Sequence, residues 1–298
     1  MSLAYPQNKS QQLFDPRRWV RSLASMDRRK KIRYALMAFG VLALAPPVGF
    51  LAQLFGGSMF CGPLCPRMAI GMDFLRELSS RTAGVILLFI WFGITFFFGR
   101  WACSHFCPVG ALTEFGSKLV PNRFKIDYAG IVHAPLFRYG FLIAFVGLPI
   151  LGLGSICCGY CNLSTIPEAF GVLFAPLAGT GLLMGSRLVS VVLYGGALGI
   201  AAREGRGHCQ LVCPVGALDS LINVIGARLP FTFRMRVKKD NCISCGVCVE
   251  GCPAHAIKMN ETNNVPEIDY HRCYQCRQCQ TDCPTDTFSI TRLKEGAS

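Results

Sequence analysis

Acidic residues are scarce in this chain of 298 residues, which has 17 Asp and Glu against 30 Lys and Arg and a net charge of +13. Charged residues of both signs make up only 16% of the sequence, while hydrophobic residues make up 52%. This composition is too apolar for an ordinary soluble domain and favours a membrane protein. The sequence also lacks a CxxCH segment, which excludes a covalently attached c-type haem.

Four apolar stretches are each long enough to cross a bilayer, which takes about 20 residues. They are residues 32–55, 82–99, 139–156 and 182–202, and the second contains no charged residue. We predict that they form four membrane spans. Residues 169–185 are also apolar, so a re-entrant or fifth segment remains an alternative.

Lys and Arg are absent from residues 157–181 but frequent before the first stretch, between the second and third, and after the fourth. By the positive-inside rule, both termini and the middle loop lie in the cytoplasm. The predicted location is the bacterial inner membrane, and the basic excess is interpreted as topology and contact with anionic lipid rather than nucleic-acid binding. No cleavable signal is expected, because the basic stretch leads into a full-length span.

The C-terminal part contains two cysteine runs with the spacing Cx2Cx2Cx3CP, which is typical of bacterial ferredoxins with two [4Fe-4S] clusters. In such runs the fourth cysteine ligates the other cluster. One cluster is therefore predicted on Cys242, Cys245, Cys248 and Cys283, and the second on Cys273, Cys276, Cys279 and Cys252. A zinc ribbon also uses paired cysteines, but it needs four ligands rather than eight. We predict strands over residues 237–241 and 265–269, and a helical turn with a strand over 254–259.

Shorter cysteine pairs recur in the apolar part. Cys103 and Cys107 are followed 106 residues later by Cys209 and Cys213, and both pairs continue as CPVGAL. A second set, predicted on the outer side, repeats with an offset of 96 residues: Cys61, Cys65, Cys157 and Cys161. We therefore predict two copies of one unit, and such repeats bind ligands at the interface between copies. The predicted fold class is a membrane α-helical four-span bundle built from two repeats, followed by a small α+β bacterial ferredoxin domain.

A count of the cysteine ligands that each cluster needs extends this prediction to two further clusters. One CxxxC pair cannot complete a [4Fe-4S] cube, but two symmetry-related pairs can. We predict an inner site for a third cluster on Cys103, Cys107, Cys209 and Cys213, and a matching outer site for a fourth on Cys61, Cys65, Cys157 and Cys161. The alternatives are small buried thiols for the inner cysteines and, in an oxidising compartment, disulfides or a thiol-exchange pair for the outer ones. Cys158 is left over as a substitute ligand or a buried thiol.

The predicted organisation has three parts. They are a basic cytoplasmic N-terminal segment (residues 1–31), a transmembrane domain with the duplicated units (residues 32–228) and a cytoplasmic ferredoxin-type domain with two [4Fe-4S] clusters (residues 229–298).

Several other side chains are weaker candidates. His105 and His208 lie inside or beside the inner motifs, where each either donates to a cluster sulfur, carries a proton or has no redox role. Arg187 either binds a quinone oxygen or an anionic cluster, or snorkels to the interface. Glu114 and His133 are candidates for proton uptake. The aromatic residues of the second stretch either line a quinone cleft or face lipid; they are Phe89, Trp91, Phe92, Phe96, Phe97, Phe98 and Trp101.

At CSHFCPVGAL, CQLVCPVGAL and the doubled ferredoxin runs, the sequence resembles the NapH/MauN-type ferredoxin-like membrane proteins of the NosR/NapH family, over about residues 30–290. The resemblance implies four membrane spans with both ends in the cytoplasm, a role in electron transfer and a link to the quinone pool. It also implies a polyferredoxin partner of the MauM or NapG type and a periplasmic dehydrogenase or reductase system. The copper-handling assembly protein CcoG shares the CxxxCP signature.

Three functional hypotheses follow. The first is a membrane-bound iron–sulfur protein that passes electrons between the quinone pool and iron–sulfur or periplasmic partners. Since the outer cysteines depart from the NapH pattern, this hypothesis favours methylamine utilisation, with a quinol dehydrogenase subunit of periplasmic nitrate reduction as the alternative. The second is a thiol–disulfide oxidoreductase that uses the outer cysteines. The third is an assembly factor that reduces a metal or matures a periplasmic cofactor.

Overall fold

The computed structural model describes residues 27–44, 82–128, 132–151 and 186–293. The helical part consists of α1 (Arg28–Leu44), α2 (Thr82–Phe98), α3 (Trp101–His105), α4 (Pro108–Leu119), α5 (Ala134–Ile150), α6 (Ser186–Val189) with a π-helical continuation (Ser190–Ile200), α7 (Gly207–Leu211) and α8 (Pro214–Ala227). The C-terminal part consists of β1 (Arg234–Val237), α9 (Val247–Glu250), β2 (Ile257–Met259), β3 (Pro266–Ile268), α10 (Gln278–Asp282) and β4 (Phe288–Thr291). Short 3-10 turns lie at Asn122–Phe124, Arg203–Gly205 and Lys239–Asn241.

The two CPVGAL segments have the same local structure. In each, a five-residue helix leads into a cysteine and then into a longer helix, as α3 and α4 or as α7 and α8. Cys107 has φ −66° and ψ 114°, and Cys213 has φ −67° and ψ 115°, so each is the extended residue before the longer helix. The proline that follows occupies the first helical turn, where a missing N–H costs nothing. The repeated motif therefore has one backbone geometry in both halves.

The helices pack in pairs that relate the two halves. Helix α1 packs against α4, α2 against α8, and α5 against α7 and α8, while the π-helix packs against α4. Helices α1, α2 and α5 each have 17 residues. Within the ranges described above, no helix combines the length and the apolar character needed to cross a membrane. The four-span bundle stays a prediction.

The C-terminal part contains two small antiparallel sheets. Strand β1 pairs with β4, from Arg234 opposite Thr291 to Val237 opposite Phe288, and β2 pairs with β3. Their core consists of Met235, Cys252, Ala254, Ala256, Ile257, Tyr274 and Phe288. Strands β2 and β3 fall inside the predicted ranges, but the prediction of a strand over residues 237–241 is wrong. Val237 is the last residue that pairs with β4, and the polar residues after it form a 3-10 turn that leads into the first cysteine run.

The C-terminal part is joined to the helices by buried hydrogen bonds. The carbonyl of His271 accepts hydrogen bonds from Arg138 Nη1 at 2.7 Å, Ser220 Oγ at 2.7 Å and Arg100 Nη1 at 3.3 Å. Asn223 Nδ2 donates to the carbonyl of Tyr270 at 2.7 Å. Because these donors are buried, the two parts are held in a defined relationship in the described structure.

Arg234 forms a second connection. Its guanidinium group donates to the carbonyl oxygens of Phe96 at 2.8 Å, Phe97 at 2.9 Å and Thr95 at 3.2 Å. These carbonyls belong to the last turn of α2, where intrahelical partners run out; the amide of Gly99 also donates to Thr95 O at 2.8 Å and that of Phe233 to Phe97 O at 2.9 Å. The first strand of the ferredoxin-type part therefore caps a helix of the apolar part, with a cation at the negative end of the helix dipole.

Candidate functional site

One cavity of the C-terminal part is lined by four cysteines, Cys242, Cys245, Cys248 and Cys283. The fourth of these comes from the second cysteine run, so the cavity contains the set that the spacing predicts for one cluster. The amide of Ser244 donates to Cys242 Sγ and the amide of Thr287 to Cys283 Sγ, both at 3.4 Å. Hydrogen bonds to cysteine sulfur are among the features that tune an iron–sulfur cluster.

A second cavity contains the complementary set, Cys252, Cys273, Cys276 and Cys279. Cys252 is the last cysteine of the first run and is buried here, where the amide of Ala256 donates to its sulfur at 3.4 Å. Burial also raises the pKa of the Cys252 thiol to about 11. The two runs therefore exchange their fourth cysteines in space.

The two runs share an unusual loop conformation. Ser244 and Gln275, each two residues after the first cysteine of a run, have φ of 57° and 51°. Gly246 and Arg277, each directly after the second cysteine, have φ of 75° and 62°. Left-handed backbone is uncommon outside glycine and is concentrated at functional sites. These turns let three cysteines of a short run line the same cavity.

The inner cysteines of the two repeats also come together, at the start of α4 and α8. Burial raises the pKa of the Cys107 thiol to about 11, and the neighbouring Cys209 thiol adds to this shift. Burial, followed by Cys209 and Cys107, raises the pKa of Cys213, and Cys103 lies close enough to Cys107 to be affected by it. The cysteines predicted for the inner site are therefore half-buried neighbours, and their binding of a cluster stays a prediction.

Two arginines lie beside the inner cysteines, and both belong to the repeat. Arg100 precedes α3 and Arg206 precedes α7, so they are 106 residues apart, like the cysteines. A Cβ atom at Gly110 would overlap Nη1 of Arg206, and one at Gly216 would lie 3.1 Å from Nη2 of Arg100. The glycine of each CPVGAL motif therefore leaves space for the arginine of the other half.

Glu114 lies between three basic side chains. Its Oε2 accepts hydrogen bonds from Arg33 Nη2 at 2.7 Å and from Arg206 Nη2 at 2.7 Å, and Lys118 Nζ is 3.6 Å from Oε1. Burial acts to raise the pKa of Glu114, but Arg206 and Arg33 outweigh it and lower the pKa to about 2. A carboxyl group that stays ionised in this way is a poor proton acceptor near neutral pH. The geometry therefore favours a structural role over proton uptake.

Asp219 is a buried group that the sequence argument missed. Its carboxylate accepts hydrogen bonds from Thr95 Oγ1 at 3.1 Å, Trp91 Nε1 at 3.2 Å and Cys103 Sγ at 2.8 Å. Burial raises the pKa of Asp219. Trp91 is thus a hydrogen-bond donor within the helical part, whereas Phe89 and Phe98 of the same helix are exposed.

Both inner-motif histidines are buried. His105 Nδ1 contacts Ser104 Oγ at 2.6 Å and the Trp101 carbonyl at 3.0 Å, and its ring stacks on that of Trp101. His208 Nδ1 has no hydrogen-bond partner among the described residues. Burial lowers the pKa of each imidazole to about 4. Both rings are therefore neutral near pH 7, and His208 keeps an unused polar atom next to Cys209.

Some predicted site residues lie outside the described residues, namely Cys61, Cys65, Cys157 and Cys161 of the outer site, and so does the remaining Cys158. The same holds for the side chain of Arg187. His133, the second candidate for proton uptake, is exposed at the start of α5.

The sulfur donors of the cysteine sets are chemically suited to iron–sulfur clusters. Three sets of four sulfur donors are the ligand type that [4Fe-4S] clusters take. Arg100 Nε and His208 Nδ1, next to the inner set, are buried polar atoms with no partner in the described ranges. In those ranges, no group of three or more His, Cys, Asp or Glu is arranged to hold one metal ion.

Two protein families match the chain. The family described as "4Fe-4S dicluster domain" matches residues 241–287, which contain both cysteine runs. The family described as "4Fe-4S binding domain" matches three times, at residues 37–81, 80–127 and 186–232. The second and third of these matches begin 106 residues apart, the same offset as the inner cysteines.

Three relatives are informative. The chain is 27% identical to the "Putative electron transport protein YccM" of Escherichia coli over 72% of this chain and 58% of that protein. It is 27% identical to the ferredoxin-type protein NapH of Escherichia coli over 66% of this chain and 64% of NapH. It is 26% identical to the methylamine utilization ferredoxin-type protein MauN of Methylobacillus flagellatus, over 80% of this chain and 76% of MauN. The chain thus spans less than two thirds of YccM and NapH. No solved structure matches it.

Proposed function

The chain belongs to the NapH/MauN type of ferredoxin-like electron-transport proteins, and we propose that it passes electrons between the quinone pool and iron–sulfur or periplasmic partners. In this proposal the protein is a membrane-bound electron-transfer component with both termini in the cytoplasm. Bound at the three cysteine sets, a [4Fe-4S] cluster would supply one-electron redox chemistry.

The observation that carries this proposal is the succession of the three cysteine sets. Tyr274 follows Cys273 directly, and its hydroxyl donates to the carbonyl of Pro253, next to Cys252, at 3.1 Å. Burial raises the pKa of its phenol, Arg206 acts to lower it, and Cys209 lies close enough to add to the rise. The ring of Tyr274 therefore lies between the inner set and one set of the C-terminal part.

The second C-terminal set continues the series. Cys248 and Cys283 pack against the same apolar core as Cys252, Cys273 and Tyr274. At the far end Cys245 is exposed. We propose that the surface around Cys245 is where an iron–sulfur partner of the MauM or NapG type docks, because an electron-transfer partner must approach a cofactor at the surface.

The experiment that tests the proposal is anaerobic purification with quantitation of iron and sulfide. A Cys103→Ala/Cys209→Ala variant is expected to lose about four iron atoms, one cube, and to keep both clusters of the C-terminal part. The control is Thr262→Ala, at an exposed residue that belongs to no cysteine set, and it is expected to keep the full iron content. If the double variant keeps the iron of the unaltered protein, the inner site is wrong.

The metabolic pathway that the protein serves is a separate proposal. We propose methylamine utilisation, because the similarity to MauN extends over 80% of this chain. The competing proposal, suggested by the similarity to NapH, is a quinol dehydrogenase subunit of periplasmic nitrate reduction. A deletion strain is expected to lose growth on methylamine and to keep nitrate respiration; the opposite result would favour the competing proposal.

A further inference from the structure

The two repeat-related arginines contact the same aromatic ring. The guanidinium carbons of Arg100 and Arg206 each lie 5.5 Å from the centroid of the Tyr274 ring. Both arginines are almost fully buried, with 1% and 2% of their surface exposed. A cation at this distance from an aromatic ring is attracted to it. Both halves of the repeat therefore place a cation between the inner cysteines and the C-terminal part.

The two arginines differ in the partner that balances their charge. Arg206 donates to Glu114 through Nη2 at 2.7 Å and Nε at 2.9 Å, which forms a buried two-bond ion pair. Ser220 is the residue 106 positions after Glu114, so the Arg100 side of the repeat has no carboxylate at that place. The repeat is symmetric in its cations and asymmetric in its anions.

Arg100 has no comparable ion pair among the described residues. Its one hydrogen bond within those ranges is from Nη1 to the His271 carbonyl at 3.3 Å, and its Nε has no partner. Asp219 is nearby, but its carboxylate accepts from Trp91, Thr95 and Cys103. Burial acts to lower the pKa of Arg100, while Cys103, Asp219 and Cys209 raise it. The groups that favour its charge therefore include two thiols of the inner set.

A buried cation favours whichever redox state of a neighbouring group carries more negative charge. Reduction of a [4Fe-4S] cluster adds one electron and forms or breaks no bond, and the donor in the proposed function is a quinol or a reduced iron–sulfur protein. Hydrogen bonds to the sulfurs and local charge are known determinants of cluster potential. Arg100 offers both, an unused N–H and a charge that no ion pair among the described residues balances.

We propose that Arg100 sets the reduction potential of the cluster held by Cys103, Cys107, Cys209 and Cys213, and that Arg206, fixed by its two hydrogen bonds to Glu114, is a structural residue. This inference rests on the proposed function, because it requires a cluster at the inner site. Arg100 raises the potential of that cluster relative to the same cysteines without it. The difference between the two arginines thus affects the reduction potential of the inner cluster, which the symmetric arrangement of the cysteines alone does not determine.

The test is an EPR-monitored redox titration of the purified, fully loaded protein. The inner signal is identified as the one that the Cys103→Ala/Cys209→Ala variant lacks. Arg100→Gln is expected to lower the midpoint potential of this signal so that the ratio of reduced to oxidised cluster falls about tenfold, or about 59 mV for a one-electron couple. Arg100→Lys, which keeps the charge, is expected to stay within about threefold of the unaltered protein.

Arg138→Gln is the matched control. Arg138 is equally buried and donates to the same His271 carbonyl as Arg100, but no cysteine contributes to its pKa, which burial lowers to about 10. The inference is overturned if Arg100→Gln keeps the inner midpoint, or if Arg138→Gln or Arg100→Lys lowers it as much. If Arg100→Gln fails to bind a cluster at the inner site, cluster binding by both Arg100→Lys and Arg138→Gln supports the role given to the charge of Arg100. Failure of Arg138→Gln to bind this cluster overturns that role. If the unaltered protein has no inner signal, the proposed function itself fails.

Discussion

The guanidinium group of Arg206 lies against the Cα atom of Gly110, in space that any larger residue at position 110 would occupy. The same relationship joins Arg100 and Gly216 in the other half, with more room between them. Gly110 also belongs to the segment that follows Cys107, so the approach of Arg206 brings the second repeat against the first at the inner cysteines. The glycine of CPVGAL is thus a requirement of the contact between repeats.

Gly110→Ala is expected to destabilise the protein. The added Cβ overlaps Nη1 of Arg206, whose movement would break its buried ion pair with Glu114, so we expect a loss of about 1–3 kcal/mol of unfolding free energy. Gly216→Ala is expected to cost less, because its Cβ would meet Cys209 O at 3.0 Å and Arg100 Nη2 at 3.1 Å without overlap. Thermal unfolding of the detergent-purified variants measures both.

Gly140→Ala is the control for these two variants. A Cβ at Gly140 meets nothing within 4 Å, and the residue is exposed in α5. Replacing an exposed helical glycine with alanine stabilises a helix by about 0.5–1 kcal/mol. An equal loss of stability in Gly140→Ala and Gly110→Ala would show that the contact with Arg206 is not the cause.

The pairing of the two repeats could be predicted from the sequence because the spacing of cysteine ligands depends on the geometry of the group that they bind. The offset of 106 residues relates Cys103 to Cys209, and in the structure Cys107 is a neighbour of both. The same offset relates Arg100 to Arg206, but the sequence does not distinguish either from the other basic residues of their loops. A count of the charges in each loop does not show that a particular cation is buried. The position of Glu114 relative to Arg100 and Arg206 is known only from the packed structure.

The exchange of fourth cysteines between the two runs predicts a pattern of double variants. Cys252→Ala combined with Cys273→Ala removes two ligands from one predicted cluster, so about four iron atoms are expected to be lost. Cys252→Ala combined with Cys242→Ala removes one ligand from each cluster, so the losses are expected to be about twice as large. Iron quantitation under anaerobic conditions measures both. Equal losses in the two double variants would contradict crossed ligation.

The ion pairs of Glu114 predict a dependence of stability on pH. The pKa of Glu114 in the folded protein is about 2, below its ordinary value of 4.5, so folding favours the ionised form. Its contribution is therefore fully present above pH 4.5 and is lost as the pH falls toward 2. Glu114→Gln leaves two buried arginines without their counter-charge and is expected to cost about 3–5 kcal/mol near neutral pH.

The measurement is the difference in unfolding free energy between the unaltered protein and Glu114→Gln at a series of pH values. This difference is expected to shrink below pH 4.5, while acid loss of clusters affects both proteins alike. Glu267→Gln, at an exposed carboxylate of β3, is the matched control and is expected to show no such trend. A difference that stays constant down to about pH 3 would contradict the role given to Glu114.

The joining of the two parts of the molecule was beyond the reach of sequence patterns. The cysteine spacing identifies a ferredoxin-type unit, but nothing in the pattern indicates that His271 would accept hydrogen bonds from three residues of the helical part. Arg234 likewise gives no local signal, because the carbonyls that it caps belong to a helix more than a hundred residues earlier. Contacts between distant segments depend on the packed fold.

Asn223 tests how firmly the ferredoxin-type part is attached. Its side chain is fully buried in α8, and Nδ2 donates to the carbonyl of Tyr270 at 2.7 Å and to that of Cys273 at 3.2 Å. Asn223→Ala leaves these carbonyls buried without a donor, which costs about 1–3 kcal/mol. Because the loss falls on the interface, we expect trypsin to cleave faster after Arg228, in the turn between α8 and β1, with the iron content unchanged. Glu261→Ala, at an exposed residue between β2 and β3, is expected to be cleaved at the rate of the unaltered protein. Equal cleavage of the two variants would mean that Asn223 does not hold the two parts together.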